Sequence, residues 1–175
     1  MFERPLVFLD LETTGATASR DRITEIGLIE VENGVLTEEW STLINPQTRI
    51  PPFIESLTGI SNAMVEDAPY FEEVARGLHE RLAGKLLIAH NAPFDMQFLR
   101  RIEGQIGLRF DNPILDTVLL SAVIWGQHET HTLDALTHRL GITIPEEARH
   151  TALGDAIATA DAFLKLLPML QGRGL

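Results

Sequence analysis

The feature that most constrains the fold is the stretch "LVFLDLETTG", residues 6–15. Its apolar half, Leu6–Leu9, predicts a buried central strand. Asp10 and Glu12 continue that strand, and because residues two apart on a strand face the same way, both carboxylates project from one side. Burying an unpaired carboxylate is very costly. Two acids on an otherwise apolar strand therefore need an explanation.

Two explanations fit the acid pair. Carboxylates this close repel each other, so one would normally take up a proton unless a divalent cation binds between them. Ligand sets made only of oxygen suit hard ions such as Mg²⁺ and Mn²⁺. Alternatively, the strand frays and both acids lie in solvent. Asp10 and Glu12 alone leave the two explanations equally open.

The residues after the acid pair predict an antiparallel sheet. Residues 25–32 ("EIGLIEVE") alternate apolar and polar side chains in their second half, as a half-buried strand does. Asn33-Gly34 follows, and then residues 35–44 ("VLTEEWSTLI"). Asn-Gly between two such runs is the strongest short signal of a hairpin. The chain thus opens with three strands in an antiparallel meander.

The remaining residues predict mostly helices. Helical spacing and capping signals indicate helices over residues 53–59, 70–82, 91–102, about ten residues after Asp116, about 132–140 and about 151–167. Short apolar runs predict strands at residues 86–89 and 113–115. We infer a mixed α/β domain in which helices pack on the faces of a hairpin-first sheet.

Composition limits the class of protein. A chain of 175 residues, 45% of them hydrophobic, fits one globular domain, and we expect a single domain over residues 1–175. No run of about eighteen apolar residues is present, so no membrane span is expected, and the first residues do not resemble a signal peptide. Cysteine is absent, which excludes disulfides and cysteine-ligated metals and fits a cytoplasmic location.

The charge of the chain is strongly negative. It has 14 Lys+Arg against 25 Asp+Glu, a net charge of −11. Binding of nucleic acid by a global basic field is therefore excluded. Either the protein is an acidic enzyme or interaction domain, or some acids form a cation site and the formal charge overstates the working charge. The charge alone does not choose between these.

Two later stretches carry further candidate residues. In "IAHNAPFDMQFL", residues 88–99, Asp95 lies in the first turn of a helix that follows a strand, where a carboxylate also suits the helix dipole. In "RHTALGDAIATADAF", residues 149–163, His150 precedes Asp155 by five residues. The two side chains converge if His150 lies in the loop before a helix and Asp155 in its first turns.

Three stretches together resemble a known family. They are "FLDLETTG", "HNAPFD" and "HTALGD", and in order and spacing they resemble the three motifs of the DEDDh 3′→5′ exonucleases, the superfamily of the epsilon proofreading subunit of bacterial DNA polymerase III. The resemblance covers residues 5–167, the expected core of the domain. His150 is present, and Thr151 stands where the other subclass has tyrosine, so the chain resembles the histidine type.

The resemblance implies a fold and a mechanism. The fold is ribonuclease H-like, a mixed five-stranded α/β sheet whose first three strands are antiparallel, flanked by helices. Two Mg²⁺ or Mn²⁺ ions would balance the charge of four carboxylates, and a histidine would act as general base. The metal ligands would be Asp10, Glu12, Asp95 and Asp155, and the base would be His150.

Four residues are candidates for substrate contacts under this resemblance. Thr13 and Thr14 belong to the first motif, near backbone groups that help to hold the terminal nucleotide in the family. Ile60, in the segment "LTGIS", is a candidate wedge against the terminal bases, and Phe94 is a second one. Plain core packing is the alternative for both apolar residues.

The implied activity is release of nucleoside 5′-monophosphates from the 3′ end of single-stranded or frayed DNA, in proofreading or repair. A DNA polymerase is a candidate partner, and no membrane is expected. The same motifs serve enzymes that trim RNA 3′ ends or degrade short oligoribonucleotides. A further alternative is a catalytically idle module that tethers a polymerase, but all five active-site positions are filled, which argues against it.

Overall fold

The central element of the fold is a five-stranded mixed sheet. The structure, a computed structural model, describes residues 4–175. Its strands are β1 (Leu6–Thr13), β2 (Ile23–Glu32), β3 (Val35–Leu43), β4 (Leu86–Ala89) and β5 (Ile114–Asp116), in the order β3-β2-β1-β4-β5. β1 lies in the middle, antiparallel to β2 and parallel to β4. This is the mixed α/β sheet that the family resemblance implies.

The tight turn between β2 and β3 follows directly from the Asn33-Gly34 pair. Asn33 has φ 52° and Gly34 has φ 77°, the left-handed values that a two-residue hairpin turn requires. The antiparallel register starts beside the turn with Glu32 opposite Val35. The predicted meander of the first three strands is therefore confirmed.

Helices fill the connections and cover both faces of the sheet. In residues 4–175 they are α1 (Pro52–Thr58), α2 (Asn62–Val65), α3 (Phe71–Leu82), α4 (Ala92–Ile106), α5 (Thr117–Trp125), α6 (Leu133–Arg139), α7 (Ala152–Gln171) and a 3₁₀-helix (Glu146–Ala148). No helix in this range is long and apolar enough to cross a membrane. The short α2 and the 3₁₀-helix were not predicted.

The last helix is longer than its apolar pattern predicts. α7 continues past residue 167 and includes Pro168 before it ends at Gln171. Proline normally disfavours the helix interior. Here Leu166 and Leu170 are both buried in a cluster with residues of α5 and α6. Packing of this last turn therefore overrides the local preference.

Alternation along β1 divides the core into two layers. Residues 7, 9 and 11 pack against α3 and α4, whereas Leu6 and Phe8 pack against α7. Phe8 meets Phe163 of α7 edge to face, with their ring centroids 5.6 Å apart. Even-numbered residues of β1 therefore face α7, and the acids at positions 10 and 12 belong to that row.

We expect Phe163→Ala to destabilise the protein by about 3–5 kcal/mol, because it opens a large cavity in the layer between β1 and α7. Phe163 is fully buried at 0% exposure. The matched control is Phe53→Ala, since Phe53 is 75% exposed and should change stability by no more than about 0.5 kcal/mol. Urea unfolding monitored by circular dichroism measures both. Equal losses for the two variants would contradict this assignment of the core.

Candidate active site

Asp10 and Glu12 lie on the side of β1 that α7 covers. β1 stays paired with β2 through Thr13, so the strand does not fray into solvent at its acids. α7 packs on β1 and β2 and brings Asp155 to the same row. One carboxylate oxygen from each of the three acids lies within 4.8 Å of the other two. The structure thus brings together three of the four predicted metal ligands in one group.

Asp95 approaches β1 from the edge that does not pair with β2. β4 pairs with β1 only along residues 6–8, which leaves the later backbone of β1 unpaired on that side. Asp95 stands in the first turn of α4 and accepts a hydrogen bond from the Leu11 N–H at 3.2 Å. Its side chain is 2% exposed. Asp95 therefore contacts the acid-bearing strand, although it lies outside the group of three carboxylates.

The acids of the site are all easier to protonate than ordinary carboxyl groups, because their pKa values are raised. Burial raises the pKa of Asp10 well above its usual range, and the charges of its acidic neighbours, Asp95 first, raise it further. Burial and the charge of Asp155 raise the pKa of Glu12 to about 9. Burial raises the pKa of Asp155 to about 6, against the opposing charge of His150. Burial also raises the pKa of Asp95 well above its usual range.

One carboxylate oxygen of the site receives no hydrogen bond within the part of the chain that the structure describes. Oδ2 of Asp10 is buried, and no hydrogen bond reaches it from the described residues. A buried charged oxygen without a partner is costly, and carboxylate oxygens are the ligands that hard divalent cations prefer. The donor set formed by Asp10, Glu12 and Asp155 therefore fits a metal ion.

His150 lies in the turn that leads into α7. Its backbone is left-handed, with φ 62°, a conformation that costs a residue with a side chain about 1–2 kcal/mol. The charge of its imidazole lowers the pKa of the Asp155 carboxyl, so the two side chains lie near each other. Thr151 then caps α7 by accepting a hydrogen bond from the Gly154 N–H at 3.0 Å. The histidine is in the loop and the aspartate is in the first helical turn, as their spacing predicts.

A cavity of about 240 Å³ opens beside Glu12. Thr13 and Phe94 line it, together with Ile54 and Leu57 of α1. Phe94 is half-buried, so part of its ring remains accessible. Two of the four predicted substrate residues therefore face a space that adjoins the acids.

Ile60 does not line this cavity. Gly59 ends α1 in a left-handed conformation, φ 75°, and after this turn Ile60 is only 3% exposed, in a small buried cluster. A wedge against substrate bases needs an accessible side chain, so core packing describes Ile60. Leu57, 46% exposed, is the apolar residue of this segment that lines the cavity. It stands three residues after Ile54 on one helical face, a spacing that could have indicated it.

Thr14 supports the loop after β1. Its hydroxyl donates to Asp21 Oδ1 at 3.2 Å and accepts from the Arg22 N–H at 3.0 Å, and its own N–H donates to the Arg22 carbonyl oxygen at 2.8 Å. Gln97 of α4 holds the same loop through two backbone groups of residues 16–18, each at 3.2 Å. Thr14 thus has no free hydrogen-bond donor for a nucleotide. No sequence motif indicates the roles of Asp21 and Gln97.

Comparison with known families identifies the chain. A family model described as exonuclease, RNase_T, matches residues 7–163. The chain belongs to this exonuclease family. The matched range begins in β1 and ends in α7, so it includes the site acids and His150. The exonuclease resemblance of the three sequence motifs is thereby confirmed.

Curated relatives with similar exonuclease sequence are longer proteins. The chain is 57% identical over 172 residues to a DNA polymerase III subunit epsilon-like protein of Rhodobacter capsulatus, covering 97% of this chain and 24% of that protein. It is 38% identical over 173 residues to the 3′-5′ exonuclease DinG of Bacillus subtilis, covering 98% and 18% respectively. The chain therefore spans a quarter or less of the length of these relatives.

Solved exonuclease structures share the fold. Exonuclease X in complex with 5′ overhanging duplex DNA superposes with a TM-score of 0.76 at 26% identity, covering 94% of this chain and 92% of that one. Escherichia coli exonuclease I in complex with a dT13 oligonucleotide gives a TM-score of 0.80 at 20% identity, covering 98% and 42%. These likenesses confirm the expected fold class.

We expect the metal-free protein to lose stability as the pH rises. Its site acids bind more protons when folded than when unfolded, where Asp and Glu titrate near about pH 4. The free energy of unfolding therefore falls by up to about 1.4 kcal/mol per pH unit for each extra bound proton. The fall passes through the pKa of Asp155, about 6, and continues through that of Glu12, about 9. Urea unfolding in chelator across this range measures it.

Substitution of one acid tests the source of this pH dependence. Glu12→Gln should flatten the dependence of stability on pH, because it removes the group with the pKa of about 9. It also removes a negative charge that raises the pKa of Asp10. Glu39→Gln, an exposed position on β3, is the control and should follow the wild-type profile. Metal-free stability that rises over this range would contradict the raised pKa values.

Proposed function

We propose that the chain is a metal-dependent 3′→5′ exonuclease that hydrolyses the terminal phosphodiester of DNA and releases nucleoside 5′-monophosphates. The observation that carries this proposal is the convergence of Asp10, Glu12 and Asp155, with one oxygen of each within 4.8 Å of the others, beside a cavity that adjoins Glu12. Membership of the exonuclease family supports the reaction class.

The proposed metal ligands are the four acids of the site. Asp10, Glu12, Asp95 and Asp155 would hold two Mg²⁺ or Mn²⁺ ions, because the ligand set contains only oxygen and the buried Oδ2 of Asp10 has no hydrogen-bond partner among residues 4–175. Two such ions, when bound, stabilise the charge that develops on the attacking and leaving oxygens of a phosphoryl displacement.

The residues of the chain supply the base and the position of the nucleotide. An imidazole nitrogen of His150 takes the proton of the attacking water, since the histidine lies beside Asp155 at the edge of the acidic group. The terminal base enters the cavity, where the ring of Phe94 and the side chain of Leu57 provide apolar walls. Stacking of a base on an aromatic ring is tolerant of base identity, which suits an exonuclease of low sequence preference.

We further propose that DNA is the substrate and that the enzyme acts in proofreading or repair. The names of the relatives support this, because they are DNA polymerase III subunit epsilon-like or 3′-5′ exonuclease proteins, and exonuclease X is bound to DNA. A frayed or single-stranded 3′ end is the proposed ligand, and a DNA polymerase is the proposed partner. The single domain over residues 1–175, with its core at 5–167, and the cytoplasmic location stay predictions.

We expect hydrolysis of single-stranded DNA from its 3′ end with Mg²⁺ or Mn²⁺ and none with a chelator. The substrates are oligonucleotides labelled at the 5′ end: single-stranded DNA, a mismatched DNA duplex and RNA of about two to five nucleotides. Gel electrophoresis separates the shortened products by length. Preference for the short RNA would replace the DNA proposal with an oligoribonuclease activity. Absence of hydrolysis on every substrate would favour the non-catalytic tethering module.

We expect His150→Ala to lower kcat by about 10²–10⁴-fold, the usual contribution of a general base, while Mn²⁺ binding measured by calorimetry stays near wild type. Asp10→Ala should abolish both hydrolysis and tight Mn²⁺ binding, because it removes a proposed ligand whose buried Oδ2 receives no hydrogen bond from the described residues. His128→Ala, at an exposed position before α6, is the matched control and should keep wild-type kcat. An unchanged rate in His150→Ala would mean that another group takes the proton.

A further inference from the structure

Glu25 makes a long-range contact at the start of α7. It lies on β2 directly opposite Glu12 in the antiparallel register, and burial raises its pKa. Its Oε1 accepts a hydrogen bond from the Ala152 N–H at 2.7 Å, across 127 residues of sequence. Ala152 is the first residue of α7, and N–H groups in a first helical turn have no partner within the helix. Glu25 therefore caps the Ala152 N–H, whereas the side chain of Thr151 caps the Gly154 N–H.

The backbones of β2 and α7 are in direct contact at this point. Gly27 lies two residues from Glu25 on the same face of β2, and a Cβ there would come within 2.3–2.5 Å of the backbone of Ala152 and Leu153. Nothing larger than glycine fits between the strand and the helix. The first turn of α7 is thus held on β2 by the hydrogen bond to Glu25 and by close packing against Gly27.

The turn before α7 is folded tightly onto the same helical end. A Cβ on Gly154 would lie 2.0 Å from the carbonyl oxygen of Ala148, and Thr151 donates to that oxygen at 2.8 Å. His150 lies inside this turn, with its left-handed backbone. A shift of the first turn of α7 therefore moves both His150 and Asp155 relative to β1.

From these contacts we propose that Glu25 is a positioning residue for the reaction. Its carboxylate fixes the first turn of α7 on β2 and so sets where His150 and Asp155 stand relative to Asp10 and Glu12. The inference rests on the proposed exonuclease function. Glu25 is not a fifth metal ligand in this arrangement, because the group of three close carboxylates in the described chain does not include it.

The Ala152 N–H needs a hydrogen-bond acceptor from the side chain at position 25, and a charged acceptor forms the strongest bond. A carboxylate that accepts from an N–H forms a shorter and stronger hydrogen bond than a neutral acceptor, and a negative charge is favourable at a helix N-terminus. A glutamine at position 25 keeps an oxygen in the same place without the charge. Glu25→Gln is therefore the conservative variant, and Glu25→Ala removes the contact altogether.

Steady-state kinetics on single-stranded DNA test the proposal. We expect Glu25→Ala to lower kcat by about 10²-fold, the effect of a misplacement of about 1 Å in a reacting group, with KM unchanged because the nucleotide cavity is built from β1, α1 and α4. Glu25→Gln should restore most of kcat. Glu32→Ala, at an exposed position on the same strand, is the matched control. A loss in Glu25→Gln as large as in Glu25→Ala would indicate a metal ligand and overturn the positioning role.

A double-mutant cycle with His150→Ala asks whether Glu25 acts through the helix turn. Residues that act as a unit give a combined loss smaller than the product of the single losses. We expect that result for Glu25→Ala with His150→Ala. Losses that multiply would mean that Glu25 affects stability or another part of the site, and would overturn the proposal.

Amide hydrogen exchange of the metal-free protein gives a readout that does not depend on activity. The Ala152 N–H should exchange faster in Glu25→Ala than in wild type, with the amides of β3 unchanged, and slow exchange at Ala152 in both would overturn the contact. If the wild-type protein hydrolyses DNA and Glu25→Ala keeps its kcat, only this inference fails. If the wild-type protein hydrolyses no nucleic acid, the proposed function fails and the inference fails with it.

Discussion

The two-residue alternation of β1 is the constraint on which the rest of the structure depends. Residues 7, 9 and 11 face the layer under α3 and α4, while Leu6 and Phe8 face α7. The row that faces α7 changes from apolar to acidic at Asp10, whereas the other row stays apolar as far as Leu11. The strand therefore remains anchored in a core on one side while it holds two carboxylates two residues apart on the other. Any helix that covers the apolar part of this row must also pass over the acids, and α7 does so with Asp155.

Desolvation is the main cost of this arrangement, and the protein offsets it only in part. Asp95 accepts from the Leu11 N–H, and the nearby charge of His150 lowers the pKa of Asp155. Oδ2 of Asp10, the acid nearest the middle of β1, receives no hydrogen bond from the described residues. A site that leaves a buried acid unsatisfied couples its stability to whatever binds there, proton or cation. Folding stability and proposed function are therefore linked through the same oxygens.

Features set by neighbouring residues were predictable from the sequence, and features set by distant contacts were not. The Asn33-Gly34 turn and the shared face of Asp10 and Glu12 follow from local rules of turn and strand geometry. The burial of Ile60 does not, because it depends on packing against Ile50 and Val65, which lie outside the segment 57–61. Glu25 is an extreme case, because a polar residue at its position in the alternating pattern is ordinary for a half-buried strand. Its proposed role arises only because α7 packs on β2, 127 residues away in sequence.

The excess of acid residues is compatible with a nucleic-acid substrate once the charges are located. Two divalent ions would offset the four site acids, yet the remaining net charge would still be negative, given the formal −11. Several basic side chains are already engaged by acids: Arg81 with Glu38, Lys85 with Glu30, Arg139 with Glu129 and Arg149 with Asp134. Little positive field is left to attract the length of a polyanion. Under the proposed function, attraction is therefore local to the ions and the adjoining cavity, which favours a single strand end that enters the site over continuous duplex that lies across the surface.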